Sequence, residues 1–340
     1  MSIKDSSTPG RLAGATNRAR RAGVAAAAVG MLAAGMAGST IGASPVGAAS
    51  PNLFARVAAD GTLLAGPNVT DVTAFGSARY EVTFTADVSS CAFIATTENG
   101  GSQALQAYTA SGHLSPNGVY VETKNQGGGL TDGAFDLAVV CTETGTEHAV
   151  VDYGGALARS SPGATLTPLG SGRYKVSFPT VVTKCAFLAT VGDPGRDLVF
   201  DPSGVYTAKG AGAKSVLVET KNPGGGLQSG VPFHLAVICP DTNNGVVSVA
   251  GPDGFTSRGS KLTSTFRADN GNYVAVTAKD ISACATVATR GSINGAVPFT
   301  PATVERTQGP AVNTVGIQVR SLLSFGGELL DEAFHTATVC

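Results

Sequence analysis

At 340 residues the chain has room for two or three domains, and only 14% of those residues are charged while 45 are Gly. Val, Thr, Gly and Ser outnumber the straight-chain residues that favour helices, which argues against a helical protein and for short strands joined by tight turns. Residues 1–49 carry Lys4, Arg11, Arg18, Arg20 and Arg21 against Asp5, a balance of +4 that leaves −5 on the remainder of a chain of net charge −1. No basic stripe survives in that remainder, so no nucleic-acid partner is expected.

The N-terminal basic stretch ends at Arg20-Arg21 and leads into an apolar run from Ala22 to Ala37. Small residues follow, among which Val46-Gly47-Ala48 has the spacing a signal peptidase accepts. Basic, apolar and small-residue regions in that order read as a signal peptide over residues 1–49. A retained anchor is the alternative, but the strongly apolar part falls short of the ~20 residues a spanning helix needs. General secretion is expected over the twin-arginine route, because Gly23 stands where the latter prefers a bulky apolar residue. The expected location is therefore secreted or extracellular, with no membrane contact once the signal is cleaved.

Beyond the signal the chain repeats itself three times. Three blocks end alike, Phe135 to Cys141, Phe233 to Cys239 and Phe334 to Cys340, and each has an upstream cysteine opening a shared phrase: Cys91-Ala92-Phe93, Cys185-Ala186-Phe187, Cys284-Ala285-Thr286. In every copy a turn glycine (Gly61, Gly155, Gly254) precedes a tyrosine (Tyr80, Tyr174, Tyr273) by 19 residues, and that tyrosine precedes the first cysteine by 11. A stretch of that length without an insertion fixes the strand register, since a slip of one residue turns the inward face outward. Tyr80 to Phe84 and Tyr174 to Phe178 alternate apolar and polar as half-buried strands do. The Phe-to-Cys segment is apolar on both faces, as in a central strand. Seven or eight strands per copy and no helix predict three tandem β-sandwich domains, jelly-roll or immunoglobulin-like: 50–144, 145–242 and 243–340.

Six cysteines in an exported chain read as disulfides. If each copy is self-contained, Cys91 pairs with Cys141, Cys185 with Cys239 and Cys284 with Cys340. Each closes a loop worth roughly 4 kcal/mol in the chain-entropy picture. Short polar links, Thr142 to His148 and Pro240 to Gly245, predict a semi-extended rod of domains.

Chemistry-bearing residues are few. His234 and His335 share a column in which the first copy has Asp136; the expected role is a strand residue on the polar face, since no metal-ligand spacing accompanies it. A glycine loop recurs as Lys124-Asn125-Gln126-Gly127-Gly128-Gly129 and Lys221-Asn222-Pro223-Gly224-Gly225-Gly226. Such loops can form an anion-binding nest of backbone N–H groups, although a turn requiring positive φ is the simpler reading. Asn125, Gly127, Gly128, Asn222, Gly224 and Gly225 are the best candidates for a binding loop. The third copy has only Phe325-Gly326-Gly327. No catalytic residue, metal ligand or cofactor is expected.

The phrase V-x-x-C-A-x-x-A-T, followed by F-H-L-A-V-x-C, resembles a domain of exported, uncharacterised proteins of high-GC Gram-positive bacteria. The second copy matches in full; the first departs at Asp136 and the third at Thr336 and Thr338. The resemblance implies secretion and a β-fold and assigns no activity. The expectation is thus a secreted or surface-associated, non-enzymatic protein with a structural or binding role. Its partner is undetermined: a cell-wall or extracellular polymer, or another surface protein. Alternatives are a carbohydrate or cell-wall binding module and a hydrolase with a dispersed site.

Overall fold

The computed structural model describes residues 53–98, 103–143, 145–195, 203–240, 245–292, 294–295, 297, 300–323 and 327–340; the segment 1–49, expected to be a signal peptide, and Phe325-Gly326 lie outside them. All regular elements among the described residues are strands. The first copy supplies β1 (Leu53–Val57), β2 (Leu63–Ala65), β3 (Val69–Ala74), β4 (Arg79–Phe84), β5 (Ala92–Glu98), β6 (Leu105–Ser111), β7 (Gly118–Asn125) and β8 (Ala134–Val140). The second supplies β9 (Thr146–Val151), β10 (Leu157–Ser160), β11 (Thr165–Gly170), β12 (Arg173–Ser177), β13 (Ala186–Asp193), β14 (Gly204–Lys209), β15 (Ser215–Lys221) and β16 (Phe233–Ile238). The third supplies β17 (Gly245–Ala250), β18 (Thr256–Ser260), β19 (Leu262–Asp269), β20 (Asn272–Thr277), β21 (Ala285–Ser292), β22 (Ala302–Gln308), β23 (Thr314–Ser321) and β24 (Phe334–Val339).

Each copy is a sandwich of two four-stranded layers. In the first they run β2-β1-β8-β5 and β3-β4-β7-β6, and the other copies follow the same order. β8 returns from the end of the copy to lie antiparallel between β1 and β5, a Greek-key arrangement that no local hairpin could produce. The alternation of β4 sends Tyr80, Val82 and Phe84 inward, where they meet Phe93, Phe135 and Leu137 of the facing layer. The tyrosine hydroxyl fixes the register: Tyr80 Oη donates to Ala59 O at 2.6 Å and Tyr273 Oη to Pro252 O at 3.1 Å. Those carbonyls sit two residues before Gly61 and Gly254, whose φ values of 88° and 81° only glycine adopts without strain. A single insertion between turn and tyrosine would pull the hydroxyl off its carbonyl.

The bridges Cys91–Cys141, Cys185–Cys239 and Cys284–Cys340 are formed. Each staples the start of the copy's fifth strand to the end of its eighth, beside ladder pairs such as Ala92↔Val140 and Ala186↔Ile238.

The expected rod is not what forms. The three sandwiches close into a ring, and each sheet runs from one copy into the next, giving three eight-stranded sheets. The joints are short parallel pairings: Thr109↔Gly192 between copies 1 and 2, Thr207↔Gly291 between 2 and 3, and Glu98↔Arg306 between 1 and 3. The cause lies on the second face of β5 and β8 and their equivalents. In an isolated sandwich that face would meet water; here it carries Ile94, Leu188 and Val287 at one level and Ala138, Ala236 and Ala337 at another. These residues meet across a pseudo-threefold axis in a fourth core that belongs to no single copy. Burying one such Leu or Ile is worth about 1.5–3 kcal/mol. The short links between copies, which suggested a rod, instead hold neighbours close enough to pair.

Candidate functional site

One of the two sets of candidate residues, the column of Asp136, His234 and His335, lies on the seams of this ring. The column of Asp136, His234 and His335 does not face solvent as a polar strand face would: all three residues are 0% exposed. Each reaches into the neighbouring copy and accepts a backbone N–H that the strand ladder leaves over. Phe93 N donates to His234 Nδ1 at 2.9 Å, Phe187 N to His335 Nδ1 at 3.0 Å, and Thr286 N to Asp136 Oδ2 at 2.6 Å. Two residues further along, a threonine completes each seam. Ala95 N, Ala189 N and Ala288 N donate to the hydroxyls of Thr190, Thr289 and Thr96 at 2.9, 2.7 and 2.7 Å. The same hydroxyls donate back to the carbonyls of Ala95, Ala189 and Ala288. The side chains thus replace ladder partners where two copies meet without main-chain pairing.

The seams are not identical. Between copies 1 and 2 the His234 ring stacks on Phe93 and the Arg159 guanidinium lies 5.0 Å from the same ring; between 2 and 3, His335 and Arg258 treat Phe187 in the same way. The closing seam, between 3 and 1, has Thr286 in place of the phenylalanine and a charge network in place of the stack. Asp136 lies 3.4 Å from Arg56 Nε and 3.5 Å from Arg306 Nε, and Glu98 binds both arginines. Two carboxylates and two guanidiniums balance in a site where the Asp136 side chain is 0% exposed.

Burial pushes the His335 imidazole down to about 3, with Arg258 adding to the effect, and His148 down to about 4. His234 lies well below its ordinary value for the same first reason, with Arg159 second. Burial raises Asp136 to about 7, against the pull of Arg306, the Thr286 N–H and Arg56. A histidine depressed in the folded state stabilises fully above its unfolded value near 6.5 and loses that contribution as pH falls toward the folded value. Asp136 has the opposite sign: its contribution is complete below about 3.8 and fades as pH rises through 7. His335→Asn keeps an acceptor for Phe187 N but cannot titrate. It is therefore expected to cut proton uptake on unfolding between pH 4 and 6 by about one proton, or about 1.4 kcal/mol per pH unit. Urea unfolding across that range checks it; an unchanged slope would show that His335 does not titrate on unfolding.

The nominated glycine loops close on themselves. Asn125 Oδ1 accepts from Gly127 N at 2.9 Å and Gly129 N at 3.1 Å, while Gly128, with φ at 80°, donates to Asn125 O. In the second copy Asn222 Oδ1 accepts from Gly226 N, and Gly225, with φ at 84°, donates to Asn222 O. The asparagine occupies the nest an anion would have used; Gly224 lies in the same turn. His148 touches Ser161 Oγ at 3.3 Å, yet Ser161 is 1% exposed and the other imidazole nitrogen lies 3.0 Å from Ser90 O. The pair has no route to a substrate. Where the copies meet on the axis, Thr96, Thr190, Thr289 and Arg290 help to line a cavity of about 60 Å³, far below the several hundred Å³ of an organic-ligand site. Among the described residues no group of three or more His, Cys, Asp or Glu side chains is placed to hold a metal ion, and no helix is long and apolar enough to cross a membrane.

No protein family, curated protein or solved structure matches this chain.

Proposed function

We propose that the chain is an exported, non-enzymatic protein whose three copies act as one rigid body, in a structural or binding role outside the cytoplasm. The observation that carries this reading is the set of three disulfides, one per copy, each stapling neighbouring strands. Such bridges persist in oxidising compartments. The signal-like segment and the resemblance to exported β-repeat proteins of high-GC Gram-positive bacteria support the same placement. The buried polar side chains support the non-enzymatic part, because His234, His335, Asp136 and the seam threonines are spent on joining the copies.

Non-reducing peptide mapping of the protein recovered from culture medium tests the reading. The expected result is a mature N-terminus close to residue 49 and three bridges within copies. Intact thiols in a protein confined to the cytoplasm would overturn export, and turnover on esterase or glycosidase panels would overturn the non-enzymatic role.

A further inference from the structure

The three copies make the same corner beside the repeat tyrosine, and one of the three lacks its central group. The corner is defined by the backbone: Thr123 N, Thr220 N and Val319 N donate to Ala78 O, Gly172 O and Gly271 O at 3.0, 2.8 and 2.9 Å. Opposite stand Leu130, Leu227 and Leu329, bridged to Lys124, Lys221 and Arg320. Ala78, Gly172 and Gly271 all have positive φ, at 60°, 68° and 62°. A residue so placed turns its N–H out of the ladder, and that N–H needs an acceptor.

Copies 1 and 3 supply a carboxylate, two residues after the bridged leucine. Ala78 N donates to Asp132 Oδ1 at 2.5 Å and Gly271 N to Asp331 Oδ1 at 2.9 Å. In copy 3 the same oxygen also accepts from Arg267 Nε at 2.7 Å and lies 3.3 Å from Tyr273 Oη. In copy 2 the equivalent residue is Ser229, shorter and uncharged. The segment from Leu227 to Phe233 is also one residue longer than its counterparts, Leu130 to Phe135 and Leu329 to Phe334. Where the siblings hold an aspartate, copy 2 has an open cavity of about 510 Å³ lined by Tyr153, Gly172, Arg173, Tyr174, Ser229 and Gly230.

We infer that this corner of copy 2 is a binding site for the carboxylate of an external ligand, which takes the place filled by Asp132 and Asp331 in the other copies. The Gly172 N–H is the donor at its floor. Arg173 supplies the cation: its Nε binds Glu219 at 2.7 Å while half of its side chain remains exposed, leaving guanidinium donors toward the opening. Tyr153, 42% exposed, offers a ring against which the body of the ligand can pack. The nearby Asp152 is engaged in its own turn, with Oδ1 accepting from Ala156 N at 2.9 Å. A volume of this size takes more than the carboxylate alone, such as a sugar acid or the end of a chain. The site stands apart from the export reading and needs neither cleavage nor secretion to exist.

Amide-resolved NMR on the whole chain tests it, with sodium acetate and sodium glucuronate as probes and sodium chloride and glucose as controls at matched ionic strength. The expected result is a saturable shift of the Gly172 and Gly230 amides with both carboxylates, while Ala78 and Gly271 stay still. Ser229→Asp is expected to weaken acetate binding about tenfold or more, the value of one charge-assisted hydrogen bond. Arg173→Gln is expected to weaken it severalfold. Absence of a saturable shift at Gly172, an equal response to chloride, or full affinity in the Ser229→Asp variant would each overturn the assignment. Saturation by glucuronate at lower concentration than acetate would identify a sugar acid as the better occupant, and equal saturation would mean that the carboxylate alone is recognised.

Discussion

Copy 2 expressed alone under oxidising conditions, residues 145–242, is expected to assemble as a trimer. It has its own sandwich core, from Ala149 and Val151 to Leu235 and Val237, and its own bridge, Cys185–Cys239. It also carries both halves of a seam. Toward copy 1 it presents the acceptors His234 and Thr190 with Arg159; toward copy 3 it presents the donors Phe187 N and Ala189 N with the Phe187 ring. Its parallel edges are equally complementary, since β13 pairs with copy 1 and β14 with copy 3. A head-to-tail contact whose rotation closes after three steps makes a ring, and the native chain shows that this rotation does close. Left as a monomer, copy 2 would expose Ala186, Leu188, Ala236 and Ile238 to water. In the native chain the short links raise the local concentration of neighbours, so the trimer of separate copies is expected to be concentration-dependent. Sedimentation equilibrium decides it: a mass three times that of the monomer is expected, reduced to the monomer mass in the His234→Ala/Thr190→Ala variant. A folded wild-type monomer at high concentration would show that the links, not the seams, hold the ring.

Much of the sandwich was legible in the residues. The alternation of Tyr80-Glu81-Val82-Thr83-Phe84, the constant spacing from turn glycine to tyrosine to cysteine, and the paired cysteines all report on contacts inside one copy, where sequence distance is short. The ring was harder to read because its contacts join residues as far apart as Thr96 and Ala288. One sign of it was present. A segment apolar on both faces, such as Phe135 to Val140, predicts a central strand, and β8 is one; but in a two-layer sandwich the outer face of even a central strand meets water. Ala138 and Val140 therefore signalled a further layer. The binding-loop expectation at Asn125 and Asn222 met a different obstacle: whether N–H groups in a glycine turn await an anion depends on where the asparagine oxygen points, and composition does not encode that. The open corner of copy 2 was visible as a missing aspartate at Ser229, but only once the bridges at Leu130, Leu227 and Leu329 aligned the three loops.

The closing seam is where one substitution should cost most. Arg306→Ala is expected to destabilise the protein by about 3–5 kcal/mol, the usual consequence of removing one partner from a buried ion pair. Arg306 is the only member of the quartet that comes from copy 3; Arg56, Glu98 and Asp136 all come from copy 1. Its loss removes the charge that copy 3 brings to the quartet and leaves two carboxylates facing one guanidinium. Asp136, already raised by burial to about 7, would then move higher and take up a proton near neutral pH. The cost should accordingly be greater at pH 9, where the carboxyl must ionise, than at pH 6, where it need not. Asp136→Asn made together with Arg306→Ala removes one charge of each sign and keeps an acceptor for Thr286 N. It is expected to recover much of the loss, so that the two substitutions couple strongly in a double-mutant cycle. Urea unfolding of the four proteins at both pH values measures the cycle. A cost below about 1 kcal/mol for Arg306→Ala, without pH dependence, would place these charges in the class of solvated surface pairs and would leave the closing joint to be held by its uncharged contacts, the axial core and the Thr96 seam among them.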